Sequence, residues 1–408
     1  MKPAAHAMPR STDLLDSLLA AIRVETPAAI ALRRRLHASP ELAHAEHATA
    51  ARVAEGLGMP TRPAAETGLI ARIGDASAAA VAVRAELDGL PIVEATDVPF
   101  ASTSGAMHAC GHDVHMAALV ALVRAAAALE PELPSPLLAV FQPSEEAYPS
   151  GAEALAADAA LEDAAIVVAA HLQPELEWGS VALDAGPVNA SSDNVEIKIE
   201  GGGTHAAYPH RGSDPVLALA QTVVAVHALI GRRIDPLAAA VISVGELRAD
   251  GAENVVPPAA YARATLRALQ PADRQRLCRL VVEAVEGVAR AHGCRGSVSF
   301  VEGEPALVND AAVVEAVTPE LSRAGFAPAP PWRSCGSDDL AFLSRRARLA
   351  MAFVGLNGMP GFEARPLHHP EFLPPDEAVE AVARVLACLY VGAASVAGRL
   401  DLSARAGA

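Results

Sequence analysis

Apolar side chains recur at helical spacing between Leu14 and Gly56: Leu14, Leu15, Leu18, Leu19 and Ile22, then Ile30, Leu32 and Leu36. Pro27 and Ser39-Pro40 punctuate this stretch, so two or three helices are predicted. Short aliphatic runs then alternate with helical patterns. Leu69–Ile73, Ala79–Glu86, Leu137–Phe141 and Ala164–His171 read as strands, and Met116–Leu129 and Gly151–Ala157 as helices. Such alternation predicts an α/β sandwich around a largely buried sheet.

From Ser191 to Glu304 the rhythm changes. Strand Asn194–Glu200, helix Pro215–Ile230, strands Ala239–Leu247 and Ala260–Leu269, helix Ala272–His292 and strand Gly296–Val301 give the order β-α-β-β-α-β, the split βαβ of a ferredoxin-like domain. A helix at Ala311–Gly325, a strand at Leu349–Val354 and a helix at Asp376–Ala394 then return to the first pattern. One domain is therefore expected inside another: residues 1–190 and 305–408 form the outer domain and 191–304 the insert.

At 408 residues the chain is long enough for two or three cores, and its 52% hydrophobic and 20% charged residues oppose disorder. Aromatics are only 3%, so the cores are aliphatic. Lysine and arginine number 32 against 48 aspartates and glutamates, a formal charge of −16 that opposes nucleic acid as a partner. The five cysteines are too few and too irregularly spaced for a disulfide framework. Residues 1–13 lack the apolar run of an export signal and read as a loose leader, which points to the cytoplasm. The uncharged stretch Val385–Gly398 is shorter than the ~20 residues of a membrane span, so no membrane role is expected.

Six of the 14 histidines fall in two of three local motifs. The first is Met107-His108-Ala109-Cys110-Gly111-His112-Asp113-Val114-His115, where a thiolate and an imidazole two residues apart suit zinc-like metals. Gln142-Pro143-Ser144-Glu145-Glu146 follows an aliphatic run, which puts two carboxylates at a strand end. Adjacent acids repel unless a cation lies between them or one keeps a proton, so one can bind metal while the other handles protons. The third group is His171, closing its aliphatic run, with Leu367-His368-His369-Pro370. Together a loop Cys/His, a Glu pair, a strand-end His and a late His supply one sulfur, three nitrogens and one carboxylate, enough for a two-metal site with open positions. A different chemistry would make Cys110 a nucleophile activated by His112 or His108, and it leaves Glu145, Glu146, His171 and His368 without work.

These residues resemble the M20 metallopeptidases, in particular the amidohydrolase branch that includes hippurate hydrolases, N-acyl-amino-acid amidohydrolases and auxin-conjugate hydrolases. The resemblance runs from Arg34–Leu42 through Arg84–Pro91, Met107–Asp113, Gln142–Glu146, Gly203–His210, Glu253–Pro257 and Gly336–Asp339 to Leu367–Pro370. It implies a two-domain α/β fold: an α/β/α metallopeptidase catalytic domain with an inserted ferredoxin-like α+β lid or dimerisation domain, assembled as a homodimer. It also implies two divalent ions per subunit, zinc first, with manganese, cobalt or nickel as alternatives. Cys110, His112, Glu146, His171 and His368 would be the ligands, with Cys110 touching both ions. Glu145 would be the general base, passing a proton from the attacking water to the leaving amine, and Asp88 would orient a ligand histidine. His205 of the insert would donate to the oxyanion, and Asn254, Arg267 and the backbone around Gly336 would hold the substrate carboxylate.

The chain departs from that branch at Glu86, where aspartate is usual, and at Ala147-Tyr148-Pro149-Ser150, where a glycine-rich run is common. Cys335 and Leu340 also stand in place of a methionine and an aromatic. These departures bear on substrate preference. The expected reaction is metal-dependent hydrolysis of the amide of an N-acyl amino acid or similar conjugate. A dipeptidase or aminopeptidase of the same fold and a non-catalytic acyl-amino-acid binder are the alternatives, and retention of Glu145 speaks against the binder.

Overall fold

The computed structural model describes residues 11–75 and 78–399. Of the leader expected over 1–13, residues 1–10 lie outside the described residues, and Ser11 opens the first helix. The elements begin with α1 (Ser11–His37), α2 (His47–Leu57), β1 (Thr61–Ala64), β2 (Gly68–Ile73), β3 (Ala80–Glu86), α3 (His112–Ala128), β4 (Leu137–Gln142), α4 (Gly151–Ala157), β5 (Ala164–Glu177) and β6 (Ser180–Ala182). They continue with β7 (Gly186–Asn189), β8 (Ser191–Glu200), β9 (Thr204–His205), α5 (Pro215–Arg233), β10 (Ala240–Arg248), β11 (Val255–Val256), β12 (Ala259–Ala268), α6 (Pro271–Ala291) and β13 (Arg295–Glu302). β14 (Leu307–Asn309), α7 (Ala311–Arg323), β15 (Ala327–Pro328), β16 (Arg348–Asn357) and α8 (Glu377–Ala397) follow.

The chain divides into two compact units. One holds the described residues up to Gly186, Val308–Trp332 and the described residues from Phe342 on; the other holds Pro187–Leu307 and Arg333–Ala341. The first unit is built on a mixed sheet of order β1-β2-β4-β3-β5-β16-β6-β15, whose centre, β4-β3-β5-β16, is parallel. Val81, Val83 and Ala85 of β3 join Leu137, Ala139 and Phe141 of β4 in a core shared with α1, α3 and α8. The alternate residues Ala82, Leu138 and Val140 are buried as well, so both faces of these strands are covered, as a parallel sheet requires. α8 is apolar and long enough to cross a membrane by composition alone, yet most of it is buried in this core.

Pro27 does not interrupt α1, which runs through it with Ile22 and Ala29 buried on either side. Two further boundaries differ from the sequence pattern. α3 begins at His112 rather than near Met116, because Gly111, at φ 85°, turns the chain straight into the helix. β5 continues past His171 to Glu177, paired with β16, although its polar Gln173, Glu175 and Glu177 end the apolar run.

The second unit carries a four-stranded antiparallel sheet of order β10-β12-β8-β13, with α5 and α6 packed on one face. Sequence order and sheet order together are those of the split βαβ. The core is aliphatic, formed by Val195, Ile197 and Ile199 of β8 with Leu277, Val281 and Val285 of α6.

Candidate active site

In open α/β sheets, ligands bind beyond the carboxyl ends of the parallel strands. The motifs of the first unit gather there. Asp88 follows β3, Glu145 and Glu146 follow β4, and His171 lies within β5 opposite Phe353 of β16. Cys110 and His112 flank the glycine that starts α3. A Cβ on Gly111 would come within 2.8 Å of Leu172 Cδ1, and its positive φ disfavours any side chain, so glycine is required between these two donors. His368 arrives from the loop before α8 in the left-handed region, at φ 65°, with its N–H donated to Ala109 O at 2.9 Å.

The donors interlock. Cys110, His112 and His171 place their ligating atoms within 4.8 Å of one another, and so do Cys110, Glu146 and His368. His112, Glu145 and Glu146 form a third such group. Cys110 is common to two of them. A pair of bonds of about 2.0–2.3 Å from one ion spans such separations. Cys110 Sγ lies 3.4 Å from His171 Nε2, and Glu146 Oε1 lies 3.3 Å from His368 Nε2.

Backbone carbonyls fix the imidazole tautomers. His171 Nδ1 donates to Leu172 O at 2.7 Å and His112 Nδ1 to Asp88 O at 2.9 Å, which leaves Nε2 of each ring as the atom available for coordination. The Asp88 carboxylate is farther from the same His112 nitrogen, at 3.6 Å, and its Oδ2 accepts the Glu146 N–H at 2.9 Å. Asp88 therefore orients His112 chiefly through its main chain and the glutamate pair through its side chain. His115 sits one turn into α3, donating from Nδ1 to Glu86 Oε2 at 2.8 Å and accepting the Leu172 N–H at Nε2 at 3.1 Å. Glu86 contacts Arg84, whose Nε donates to Gln142 Oε1 at 2.9 Å, so its longer side chain is fully engaged.

Charge and burial fit divalent metal ions. Burial raises the Cys110 thiol well above its ordinary range, and Glu146, Glu145 and Glu86 push the same way. A thiolate here needs a cation beside it, and a bare nucleophile would face three carboxylates. Burial, reinforced by the neighbouring His115 and His112, drives His171 down to about 3. At His112 burial opposes the charged form, but the hydrogen bond to Asp88 and the Glu86 and Asp88 charges outweigh it and push the ring up to about 10. Two buried atoms facing this space, His112 Nε2 and Glu146 Oε1, have no hydrogen-bond partner. Orphaned polar atoms are costly, and coordination would satisfy both.

The remaining candidates lie in the second unit. His205 of β9 is exposed, pairs with Val255 of β11 and accepts the Ala207 N–H at Nδ1 at 3.1 Å. Asn254 lies beside it, its carbonyl accepting the Ala206 N–H at 3.0 Å. Arg267 of β12 reaches Ser337 Oγ at 3.1 Å, and Gly336 next to that serine takes the Ala190 N–H on its carbonyl at 3.1 Å. The sequence pattern missed the groups behind the site. Glu46 hydrogen-bonds the turn carrying Glu145, and Arg33 and His37 hold Asp113. Glu46 stands between His44 and His47, but its partners at the site lie far away in sequence.

Residues 82–391 match the family described as Peptidase family M20/M25/M40. The chain is 34% identical to an N-acetyl-L-cysteine deacetylase of Bacillus subtilis (strain 168), over 84% of this chain and 82% of that protein. It is 31% identical to the IAA-amino acid hydrolase ILR1-like 4 of Arabidopsis thaliana, over 84% and 80% of the two chains. Among solved structures, the Bacillus subtilis YXEP protein, described as a dinuclear metal binding peptidase from the M20 family, superposes with a TM-score of 0.80 at 28% identity, over 90% of this chain and 98% of that one. The chain belongs to the M20/M25/M40 peptidase family and is a metal-dependent amidohydrolase.

Proposed function

We propose that this chain hydrolyses the amide bond of N-acyl amino acids or similar amino-acid conjugates, releasing a carboxylic acid and an amino acid. The observation that carries this reading is Glu145, a carboxylate at the end of β4 whose Oε2 lies 3.9 Å from His112 Nε2, beside the nest of Cys110, His112, Glu146, His171 and His368. The names of the relatives, an N-acetylated amino acid deacetylase and an auxin-amino acid hydrolase, agree with this substrate class.

Two divalent ions, with zinc as the first candidate and manganese, cobalt or nickel as alternatives, would lower the pKa of water toward neutrality and polarise the amide carbonyl. Cys110, His112, Glu146, His171 and His368 would hold them. Glu145 takes the proton of the attacking water and returns it to the leaving nitrogen, which departs as the amine. Asp88 holds the glutamate pair and His112 in register. His205 of the insert is assigned to the developing oxyanion, and Arg267 and Asn254 of the insert, together with the backbone at Gly336 beyond it, to the substrate carboxylate. A carboxylate substrate needs this local positive charge because the chain as a whole carries −16.

In this reading the catalytic domain comprises residues 1–190 and 305–408, the insert 191–304 serves as lid and dimerisation domain, and the enzyme is a cytoplasmic homodimer. α5 supports the dimer. It leaves Val216, Leu217 and Val224 exposed, and β10 is an edge strand of the sheet on which α5 packs.

The test pairs elemental analysis of the purified protein with amino-acid release from N-acetyl, N-benzoyl and indole-acetyl amino acids, before and after chelation. About two metals per chain, with turnover lost on chelation and restored by zinc, manganese or cobalt, is the expected result. Turnover that survives complete removal of metal would overturn the reading.

A further inference from the structure

The turn that carries Glu145 is held from behind by a second buried carboxylate. Ser144, the residue before Glu145, lies in the left-handed region at φ 52° and is almost fully buried. A serine does not hold that conformation without outside support. Glu46 supplies it from 98 residues away: its Oε1 accepts the Ser144 N–H at 2.7 Å and lies 3.3 Å from the Ser144 hydroxyl. Its Oε2 takes the Thr67 hydroxyl at 2.6 Å. The Ser144 hydroxyl in turn accepts the His44 N–H at 2.9 Å, and the Ser144 carbonyl accepts the Gly151 N–H at 3.1 Å.

Glu46 occupies the N-cap position of α2, yet its side chain makes no cap hydrogen bond there. Glu41 does that work, accepting the N–H groups of Ala48 at 3.2 Å and Thr49 at 2.6 Å. Glu46 is thereby free to point inward. It is fully buried, and among the described residues it forms no ion pair. Burying a carboxylate against neutral donors is costly, so the contact must fix something that matters. The far side of the same turn is tied to Asp88, which accepts the Glu146 N–H at 2.9 Å. Glu46 and Asp88 thus clamp the two ends of a three-residue segment whose middle residue is Glu145.

We propose that Glu46 is a positioning residue for the general base: it fixes the Ser144 turn and through it the direction in which the Glu145 carboxylate is presented. The inference rests on the assignment of Glu145 as base. Asp88 anchors Glu146 independently, so loss of Glu46 acts on proton transfer rather than on metal binding.

The test is a double-mutant cycle on the metal-loaded enzyme with N-acetyl-L-methionine as probe, read as kcat, KM, metal content and thermal midpoint. Glu46→Ala is expected to lower kcat about 10- to 100-fold, with KM within about twofold and both metals retained. Glu46→Gln, whose carbonyl still accepts the Ser144 N–H, restores most of kcat. Thr67→Val, which removes one donor to Glu46 and leaves the turn intact, gives a smaller loss in the same direction and serves if Glu46→Ala does not fold. Added to Glu145→Gln, either variant costs little more, because both act through the same group. If Glu145→Gln is itself impaired but the second substitution adds its full effect, the positioning role is overturned and the base assignment stands. A lower thermal midpoint with unchanged kcat overturns it too. Full activity in Glu145→Gln overturns the base assignment and the positioning role together.

Discussion

At the scale of single residues, Cys110 is the most consequential atom in the site. Cys110 belongs to two of the donor groups, as Glu146 also does, and in the proposed reading a ligand shared by both ions would weaken both when removed. Its surroundings are carboxylates rather than cations, which suits a shared ligand and not a free nucleophile. Cys110→Ala is expected to reduce the metal content of purified protein from about two per chain to below one, with loss of turnover of at least about 10²-fold. Elemental analysis with a parallel activity assay checks this. A variant that keeps two metals and normal turnover would remove Cys110 from the ligand set.

At the scale of elements, the site depends on how α1 docks against α3. Arg33 Nε donates to Asp113 Oδ2 at 2.8 Å, and its Nη1 to Asp376 Oδ1, just before α8, at 2.9 Å. His37 at the end of α1 lies 3.0 Å from both Asp113 Oδ2 and Glu94 Oε1. Burial opposes the charged ring, but Asp113 and Glu94 outweigh it, despite repulsion from Arg33, and raise His37 from 6.5 to about 9. The raised value means that protonated His37 stabilises the fold fully below about pH 6.5 and that this contribution disappears as pH rises through about 9. Its upper bound is on the order of 3 kcal/mol. Urea unfolding of the wild-type protein should therefore show stability falling between pH 6.5 and 9, and His37→Gln should flatten that slope while lowering stability at pH 6. An unchanged slope in the variant would assign the effect elsewhere.

The same elements show what the sequence can and cannot reveal. β3, β4 and the first half of β5 are continuous aliphatic runs, and the insert's strands and helices alternate with clear period, so the architecture is written in the pattern of apolar residues. Ligand candidates are visible because cysteine and histidine cluster locally around Gly111. Glu46, Arg33 and Glu86 are not visible in that way. Their partners lie 98, 80 and 29 residues away, and a buried polar contact leaves no periodic trace in either partner's neighbourhood. The start of α3 at His112 was hidden for a related reason: a positive-φ glycine launches the helix where the apolar pattern has not yet begun.

At the scale of the molecule, the two units have separate aliphatic cores, one built on α1, α3, α8 and the mixed sheet, the other on α5, α6 and the antiparallel sheet. The five proposed ligands, Cys110, His112, Glu146, His171 and His368, lie in the first. A ligand that binds only the native state stabilises what it binds by mass action, about 4 kcal/mol at a thousandfold excess over Kd. Metal removal should therefore loosen one core and spare the other. Hydrogen exchange read by mass spectrometry on metal-loaded and chelated protein should show faster exchange in peptides spanning 86–88, 108–115, 144–146, 168–172 and 367–369. Peptides from β8, β12 and α6 should exchange at the same rate in both. Faster exchange spread equally over the two units would mean that the insert also depends on the ions, and that its core does not stand on its own packing.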